Sequence, residues 1–232
     1  MQTKYKHLFF DLDRTLWDFE KNSVLTFQDI FAKHDLNRVF PDFDTFLNTY
    51  KRHNEHLWTL YRDGQIQKDE LRNKRFELTL DEFGVQDERL AENIGDDYVS
   101  ISPTKKGLFP YTHEVLRYLK EKKYKLYIIT NGFKEVQYVK LNNCDLMPYF
   151  DRIITSEEAG YTKPKPGIFA HSLSSVNALK KESLMIGDDL AADIKGAKDF
   201  GIDQVFFNPL KLDVDIHATY EISELIQLKD IL

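Results

Sequence analysis

Two carboxylates one residue apart, Asp11 and Asp13, follow a short apolar run near the start of the chain. This run, residues 5–10, has the nearly continuous apolar character of a strand buried on both faces of a parallel sheet. If the strand stays extended, both carboxylates project from the same side, because side chains alternate along a strand. Carboxylates that close repel each other, so the pair favours a bound cation or proton. A turn in which both residues only cap backbone groups explains the pair equally well at this point.

Two further polar segments stand where strands are predicted to end. Thr130-Asn131-Gly132 follows the apolar segment 125–129 and opens a helix. A hydroxyl and free main-chain N–H groups at a helix start are typical of anion sites, although an ordinary capped turn is the alternative. Lys163 and Lys165 lie in a loop stiffened by prolines, and a solvated lysine loop is the usual explanation for such a stretch.

A second acidic group follows the apolar segment 184–186. Gly187-Asp188-Asp189 stands directly after it, and Asp193 comes one helical turn later. One aspartate could cap the helix, but three carboxylates exceed what capping needs. Hard divalent cations such as Mg²⁺ prefer oxygen sites of this kind, so the segment predicts a metal site.

Composition narrows the class of ligand. The 232-residue chain has a net charge of −6, and its basic residues are scattered along the sequence. This distribution argues against binding of a nucleic-acid polymer but not against binding of a small anion.

The single cysteine, Cys144, excludes an intrachain disulfide and predicts a reducing, cytoplasmic location. We expect neither a signal peptide nor a membrane segment, because few residues precede the first strand and no apolar stretch approaches ~20 residues.

The order of strand and helix patterns along the chain predicts the elements that position these residues. The predicted fold is α/β, a doubly wound parallel sheet with an inserted helical bundle. From residue 104 onward, strand-length apolar segments alternate with helical patterns, and the first strand belongs with them. Between them lie four consecutive helical patterns without a strand. We therefore predict a core of residues 1–17 and 104–232, and a helical cap of residues 18–103. Its two connections to the core would let the cap close as a lid.

The polar motifs at these strand ends, and their order along the chain, resemble those of the haloacid dehalogenase superfamily of phosphohydrolases. The resemblance covers the whole chain. Asp11-Leu12-Asp13-Arg14-Thr15 resembles its first motif, Thr130 its second, Lys163 its third, and Gly187-Asp188-Asp189 with Asp193 its fourth. The resemblance implies a Rossmann-like core, and the helical insert falls where type 1 caps of that superfamily fall. Arg14 departs from the pattern, because that position is often glycine.

The resemblance also implies roles for the catalytic residues. Asp11 would be the nucleophile that forms an aspartyl-phosphate, and Asp13 would protonate the leaving oxygen and later activate water. Lys163, rather than Lys165, would neutralise the phosphate and the neighbouring carboxylates. Thr130 and the main-chain amides of Asn131-Gly132 would hold the phosphate oxygens.

The implied cofactor is Mg²⁺, lying between Asp11, Asp188 and the main-chain carbonyl of Asp13. Asp189 and Asp193 would stand behind these ligands, with direct contact of Asp189 to the metal left open. The implied substrate is a small phosphomonoester, and the chain would be a monomer or a homodimer.

Residues in and around the cap resemble a narrower group, the pyrimidine 5′-nucleotidases that act on noncanonical nucleotides. The matching segments are Asp18-Phe19-Glu20, Asn54, Leu57-Trp58, Gly64-Gln65-Ile66 and Arg75-Phe76. We predict a pyrimidine nucleoside monophosphate as substrate, with specificity from the turn that contains Arg62, Gly64 and Gln65.

Several alternatives to this prediction stay open. They are a phosphatase for phosphoglycolate or sugar phosphates, a phosphosugar mutase, and a phospho-acceptor signalling domain without enzymatic activity. The signalling domain is disfavoured because such domains are about half this length and lack a helical lid. A dehalogenase is disfavoured because it has no use for a second aspartate or a metal.

Overall fold

The structure is a computed structural model that describes residues 4–215 and 217–232. The chain divides into two compact units, each with its own core. One unit runs to Phe19 and resumes from Lys106 to Leu232, and the other spans Glu20–Lys105. The predicted cap, residues 18–103, begins and ends two residues earlier than this second unit.

The second unit is a helical bundle around aromatic side chains. Its helices are α1 (Phe19–Lys33, whose first residue lies in the other unit), α2 (Phe43–Arg62), α3 (Lys68–Asp81) and α4 (Glu88–Ile101). The Asp42 carboxylate begins α2 by accepting a hydrogen bond from the Thr45 N–H at 2.7 Å, as helix-capping residues do. Buried aromatic residues from all four helices pack together in the centre, namely Phe27, Phe46, Tyr50, Phe76 and Tyr98. The bundle therefore has a complete apolar core of its own.

The other unit is built on a six-stranded parallel sheet. Its strands are β1 (His7–Phe10), β2 (Lys125–Thr130), β3 (Arg152–Thr155), β4 (Ser183–Gly187), β5 (Asp203–Phe207) and β6 (Tyr220–Ile222). Their order is β3-β2-β1-β4-β5-β6, so β1 lies between β2 and β4, with Phe10 paired to Ile128 and Ile186. The chain order reverses at β1. In open α/β sheets, the crevice beyond the carboxyl ends of the strands at such a point is where ligands bind.

Helices cover both faces of this sheet. They are α5 (Thr112–Glu121), α6 (Lys134–Asn143), α7 (Ser156–Ala159), α8 (Pro166–Ser175), α9 (Gly196–Phe200) and α10 (Leu228–Ile231). Leu8 and Phe10 belong to one buried apolar cluster, whereas Phe9 belongs to another, because alternate side chains point to opposite faces. The predicted doubly wound α/β fold with a helical insert is thus confirmed. No helix among residues 4–215 and 217–232 has both the length and the apolar character required to cross a membrane.

The segment after β4 is not one regular α-helix. A π-helical turn, Leu190–Lys195, precedes α9. The main-chain carbonyl of Asp189 accepts from the N–H of Asp193 at 2.9 Å and from the N–H of Ile194 at 3.1 Å. In this wider turn the Asp193 carboxylate comes close to Gly187, where a Cβ atom would lie only 2.3 Å from Asp193 Oδ2. Single π-helical turns occur frequently at functional sites.

Candidate active site at the carboxyl end of the sheet

Asp11 follows β1 directly, and its carboxylate is bound by Lys163. The Asp11 N–H extends the sheet by donating to the carbonyl of Ile186 at 2.9 Å. Lys163 Nζ donates to Asp11 Oδ1 at 2.6 Å, to Asp193 Oδ1 at 2.7 Å and to the Ile129 carbonyl at 2.9 Å. Asp11 is 8% exposed and Lys163 is 2% exposed. One buried ammonium therefore joins the carboxylate at the end of β1 to a carboxylate in the π-helical turn after β4.

Three carboxylates converge beside this ammonium. One oxygen from each of Asp11, Asp188 and Asp193 lies within 4.8 Å of the others. Three carboxylates and the Lys163 ammonium together carry a formal charge of −2. Because buried charges require compensation, this oxygen-rich cluster fits a hard divalent cation such as Mg²⁺.

Burial dominates the protonation of the cluster. It raises the pKa of Asp11 well above its ordinary value, although Lys163 opposes the change, and it also raises the pKa of Asp193. Burial, reinforced by the charge of Asp193 and opposed by Arg14, raises the pKa of Asp188 to about 7. Burial would lower the pKa of Lys163, but Asp11 and Asp193 together raise it above its ordinary value. Full ionisation of the three carboxylates is therefore costly without a bound cation.

Thr130 and Asn131 occupy the end of the neighbouring strand β2. The Thr130 hydroxyl oxygen accepts from the Gly132 N–H at 3.0 Å. The Asn131 side chain accepts from the Lys163 N–H at 2.8 Å and donates to the Lys163 carbonyl at 3.0 Å. Asn131 thus holds the main chain of Lys163, a role for which the local sequence carries no signal. The binding of phosphate by Thr130 and the main-chain amides of residues 131 and 132 stays a prediction.

Asp13 has partners different from those of Asp11. The strand ends at Phe10 and the chain turns, with the Leu12 carbonyl accepting from the N–H groups four and five residues later. This turn spans Leu12 to Trp17, and Asp13 itself forms an isolated bridge with Trp17. Asp13 Oδ1 accepts from Lys140 Nζ at 2.5 Å, and Asp13 Oδ2 accepts from Gln137 Nε2 at 2.8 Å. Both donors belong to α6.

Gln137 and Lys140 are residues that the sequence reasoning missed. They lie one turn apart on α6, and they are 1% and 4% exposed. A signal was available, because these polar residues share a buried helix face with Leu141. The Lys140 ammonium also lies 4.1 Å from the ring centroid of Trp17, within cation–π distance.

Two other candidate residues, the acidic Asp189 and the basic Lys165, are exposed. Asp189 caps the π-helical turn, its Oδ1 accepting from the N–H groups of Ala191 and Ala192 at 2.9 and 2.8 Å. Lys165 is exposed, whereas Lys163 in the same loop is buried. The role of Asp189 near a metal stays a prediction.

The predicted specificity residues lie in the helical unit. α2 ends at Arg62, and Gly64 then adopts the left-handed region with φ +77°. The Gln65 N–H donates to the carbonyl of Leu60 at 2.9 Å, which closes a tight turn. Gly64 and Gln65 are exposed, and Arg62 is half-buried. Substrate contact by Arg62, Gly64 and Gln65 stays a prediction.

Comparison with known proteins gives consistent matches over nearly the whole chain. The haloacid dehalogenase-like hydrolase family model matches residues 5–201. The HAD-hydrolase YfnB of Bacillus subtilis is 33% identical over 99% of this chain and 96% of its own length. A crystal structure of YfnB bound to magnesium matches with a TM-score of 0.89 and 30% identity, covering 99% of both chains.

Two further relatives have substrates in their names. The pyrimidine 5′-nucleotidase PynA of Streptococcus pneumoniae is 31% identical over 98% of this chain and 95% of its own length. The glyceraldehyde 3-phosphate phosphatase of Pyrococcus furiosus is 30% identical over 99% of this chain and 93% of its own length.

Proposed function

The chain belongs to the haloacid dehalogenase-like hydrolases, and on that premise we propose a Mg²⁺-dependent phosphatase that acts on pyrimidine nucleoside monophosphates. The observation that carries the proposal is the buried Asp11 carboxylate, bound to Lys163 and adjoining Asp188 and Asp193. A nucleophilic carboxylate beside a fixed ammonium and a cation-binding cluster matches the needs of phosphoryl transfer, which depends on positioning and charge neutralisation.

The first half of the proposed reaction transfers the phosphoryl group to Asp11. The Asp11 oxygen that is not bonded to Lys163 attacks phosphorus, while the bond between phosphorus and the ester oxygen breaks. Asp13, protonated for this step, gives its proton to the departing oxygen, so that the alcohol leaves neutral. The Lys163 ammonium and the Thr130 hydroxyl stabilise the negative charge on the phosphoryl oxygens.

The second half releases phosphate and restores the enzyme. The Asp13 carboxylate takes a proton from a water molecule whose oxygen attacks phosphorus. The bond between phosphorus and Asp11 then breaks, inorganic phosphate departs, and Asp13 is again protonated. Splitting the hydrolysis in this way replaces one difficult step with two easier ones.

Asp11, Asp188 and the main-chain carbonyl of Asp13 are the groups that we propose to hold Mg²⁺, with Asp189 and Asp193 behind them. A bound Mg²⁺ supplies positive charge that offsets the carboxylates and the transferring phosphoryl group. The convergence of three carboxylates within 4.8 Å and the magnesium-bound structure of YfnB support this assignment.

The similarity to PynA and the exposed amide of Gln65 in the turn after α2 support the pyrimidine nucleotide substrate. Amide and charged groups in a tight turn suit the edge of a pyrimidine or a ribose. The similarity to a glyceraldehyde 3-phosphate phosphatase favours a smaller sugar phosphate instead, and this is the second candidate.

A phosphate-release screen separates these candidates. It compares ribo- and deoxyribonucleoside monophosphates, glyceraldehyde 3-phosphate, phosphoglycolate and hexose phosphates, each with Mg²⁺ and with excess chelator, using Asp11→Asn as the inactive control. We expect the highest kcat/KM for pyrimidine nucleotides and no turnover in chelator. A higher kcat/KM for the triose phosphate would refute the nucleotidase assignment alone. Full turnover in chelator would refute the metal dependence, and no hydrolysis of any phosphomonoester would refute the phosphatase itself.

A further inference from the structure

Both oxygens of the Asp13 side chain accept hydrogen bonds from α6. Lys140 Nζ lies 2.5 Å from Oδ1 and Gln137 Nε2 lies 2.8 Å from Oδ2. Gln137 and Lys140 are three residues apart on one buried face of the helix, so together they form a fork that spans the carboxylate. The two hydrogen bonds of the fork therefore fix the orientation of the Asp13 carboxylate.

Lys140 is an unusual residue for this position. Its side chain is 5% exposed, and its ammonium lies 4.1 Å from the ring centroid of the fully buried Trp17. Burying an ammonium is costly unless it is paired, and an apolar residue would fill the same space at lower cost. The structure pairs this ammonium with Asp13, and that contact fixes the position of one carboxylate oxygen.

Gln137 is held in an orientation that is unfavourable for its own carbonyl. Its Oε1 is buried and, among the residues that the structure describes, has no hydrogen-bond partner. Reversing the amide would bring this oxygen against the Asp13 carboxylate, so the orientation keeps an N–H directed at Asp13. A buried polar atom without a partner is uncommon in proteins and calls for an explanation.

Gly132 provides the space for this amide. A Cβ atom at Gly132 would lie 1.6 Å from Gln137 Nε2 and 2.7 Å from its Cδ. The turn after β2 therefore admits the Gln137 side chain only because residue 132 has no side chain. This packing connects the strand that ends in Thr130 to the fork around Asp13.

We propose that Lys140 and Gln137 are positioning residues that direct the Asp13 carboxylate for proton transfer. The inference rests on the proposed function, in which Asp13 protonates the leaving oxygen and then takes a proton from water. In this proposal neither residue binds the phosphoryl group or the leaving oxygen, and both act through their hydrogen bonds to Asp13. Their loss should therefore impair the steps that need a proton from or to Asp13, and should spare phosphoryl transfer to Asp11 when the leaving group departs without a proton.

Two substrates distinguish these steps. A nucleoside monophosphate has an alkoxide leaving group that needs a proton, whereas p-nitrophenyl phosphate releases a stable phenolate. Since kcat/KM reports the steps up to departure of the leaving group, we expect Lys140→Met and Gln137→Leu to lower it for the nucleotide about 10- to 100-fold, a part of the 10²–10⁴ typical of acid–base catalysis. With p-nitrophenyl phosphate, kcat/KM should change little. Rapid mixing should instead show a burst of p-nitrophenolate followed by slow turnover, because hydrolysis of the aspartyl-phosphate also needs Asp13.

The matched control is Lys134→Met, which removes an exposed lysine at the start of the same helix. It should behave as wild type with both substrates, and Lys140→Arg should recover part of the nucleotide activity because it keeps the charge. Gln137→Leu removes both the buried carbonyl without a partner and the hydrogen bond to the partly exposed Asp13, so its melting temperature should stay close to that of wild type. This variant keeps the test decisive if Lys140→Met does not fold.

Equal losses for both substrates in Lys140→Met and Gln137→Leu would overturn the inference, as would nucleotide kinetics equal to those of Lys134→Met. Asp13→Asn separates this failure from failure of the proposed function. If Asp13→Asn hydrolyses the nucleotide at the wild-type rate, the assigned role of Asp13 is wrong. If Asp13→Asn is inactive while both α6 variants match the control, only the positioning inference is wrong.

Discussion

Replacing Asp188 with Asn should stabilise the metal-free protein at pH 8 while abolishing its activity with Mg²⁺. Burial raises the pKa of Asp188 to about 7, from an ordinary value of 3.8. Between these two pH values the folded chain keeps a proton that the unfolded chain has lost, so the free energy of unfolding falls as the pH rises. The loss is complete above pH 7, where both states are ionised.

The size of this loss of stability follows from the difference between the two pKa values of Asp188. One pKa unit corresponds to about 1.4 kcal/mol, so the ionised Asp188 carboxylate destabilises the folded protein by up to about 4 kcal/mol. About 3 kcal/mol of this develops between pH 5 and pH 8, which for a chain of this size is a difference of roughly 6–12 °C in Tm. Asn retains an oxygen that can accept the hydrogen bond from the Thr15 hydroxyl, 3.1 Å away, so the substitution removes charge with little change of shape.

Thermal unfolding at pH 5, 6, 7 and 8 in chelator measures the effect. The stability of wild type should fall more steeply with pH than that of Asp188→Asn, and the difference between the two proteins should be much smaller at pH 5 than at pH 8. Added Mg²⁺ should raise the Tm of wild type at pH 8 and should have much less effect on the variant. Asp199→Asn, which changes an exposed carboxylate on α9, is the control and should follow wild type. An Asp188→Asn protein no more stable than wild type at pH 8 in chelator would refute the reasoning.

Three further predictions test the site and the cap. Lys163→Ala should abolish phosphatase activity and lower the free energy of unfolding by about 3–5 kcal/mol, because it leaves buried carboxylates without their ammonium. Lys165→Ala, which changes an exposed lysine, should retain activity in the same assays. The reverse ranking of the two variants would contradict the assignment of Lys163 to the active site. Asp11→Asn should reduce kcat at least about a thousand-fold, with phosphate labelling of the wild-type Asp11 side chain as the complementary measurement; labelling on Asp13 alone would reverse the two roles. Alanine at Arg62 and Gln65 should change the ranking of nucleotides by kcat/KM more than it changes hydrolysis of p-nitrophenyl phosphate, and equal losses would contradict a specificity role for this turn.

The sequence alone determined the elements of the sheet and the polar residues that stand at its carboxyl end. Continuous apolar runs predicted the buried strands, and Asp11, Thr130 and Asp188 stand at or directly after the ends of three of them. These features could be predicted because periodicity and parallel topology are properties of segments a few residues long and of their order.

Only the tertiary structure decided which side chains meet. Asp13 contacts Lys140, 127 residues away, and Asp11 contacts Lys163, 152 residues away. Two carboxylates one residue apart thus meet different partners, and the π-helical turn brings Asp193 to Lys163. Such partners are selected by the packing of elements far apart in the chain, through the space that each residue fills or leaves. Local patterns of hydrophobicity carry no record of that packing.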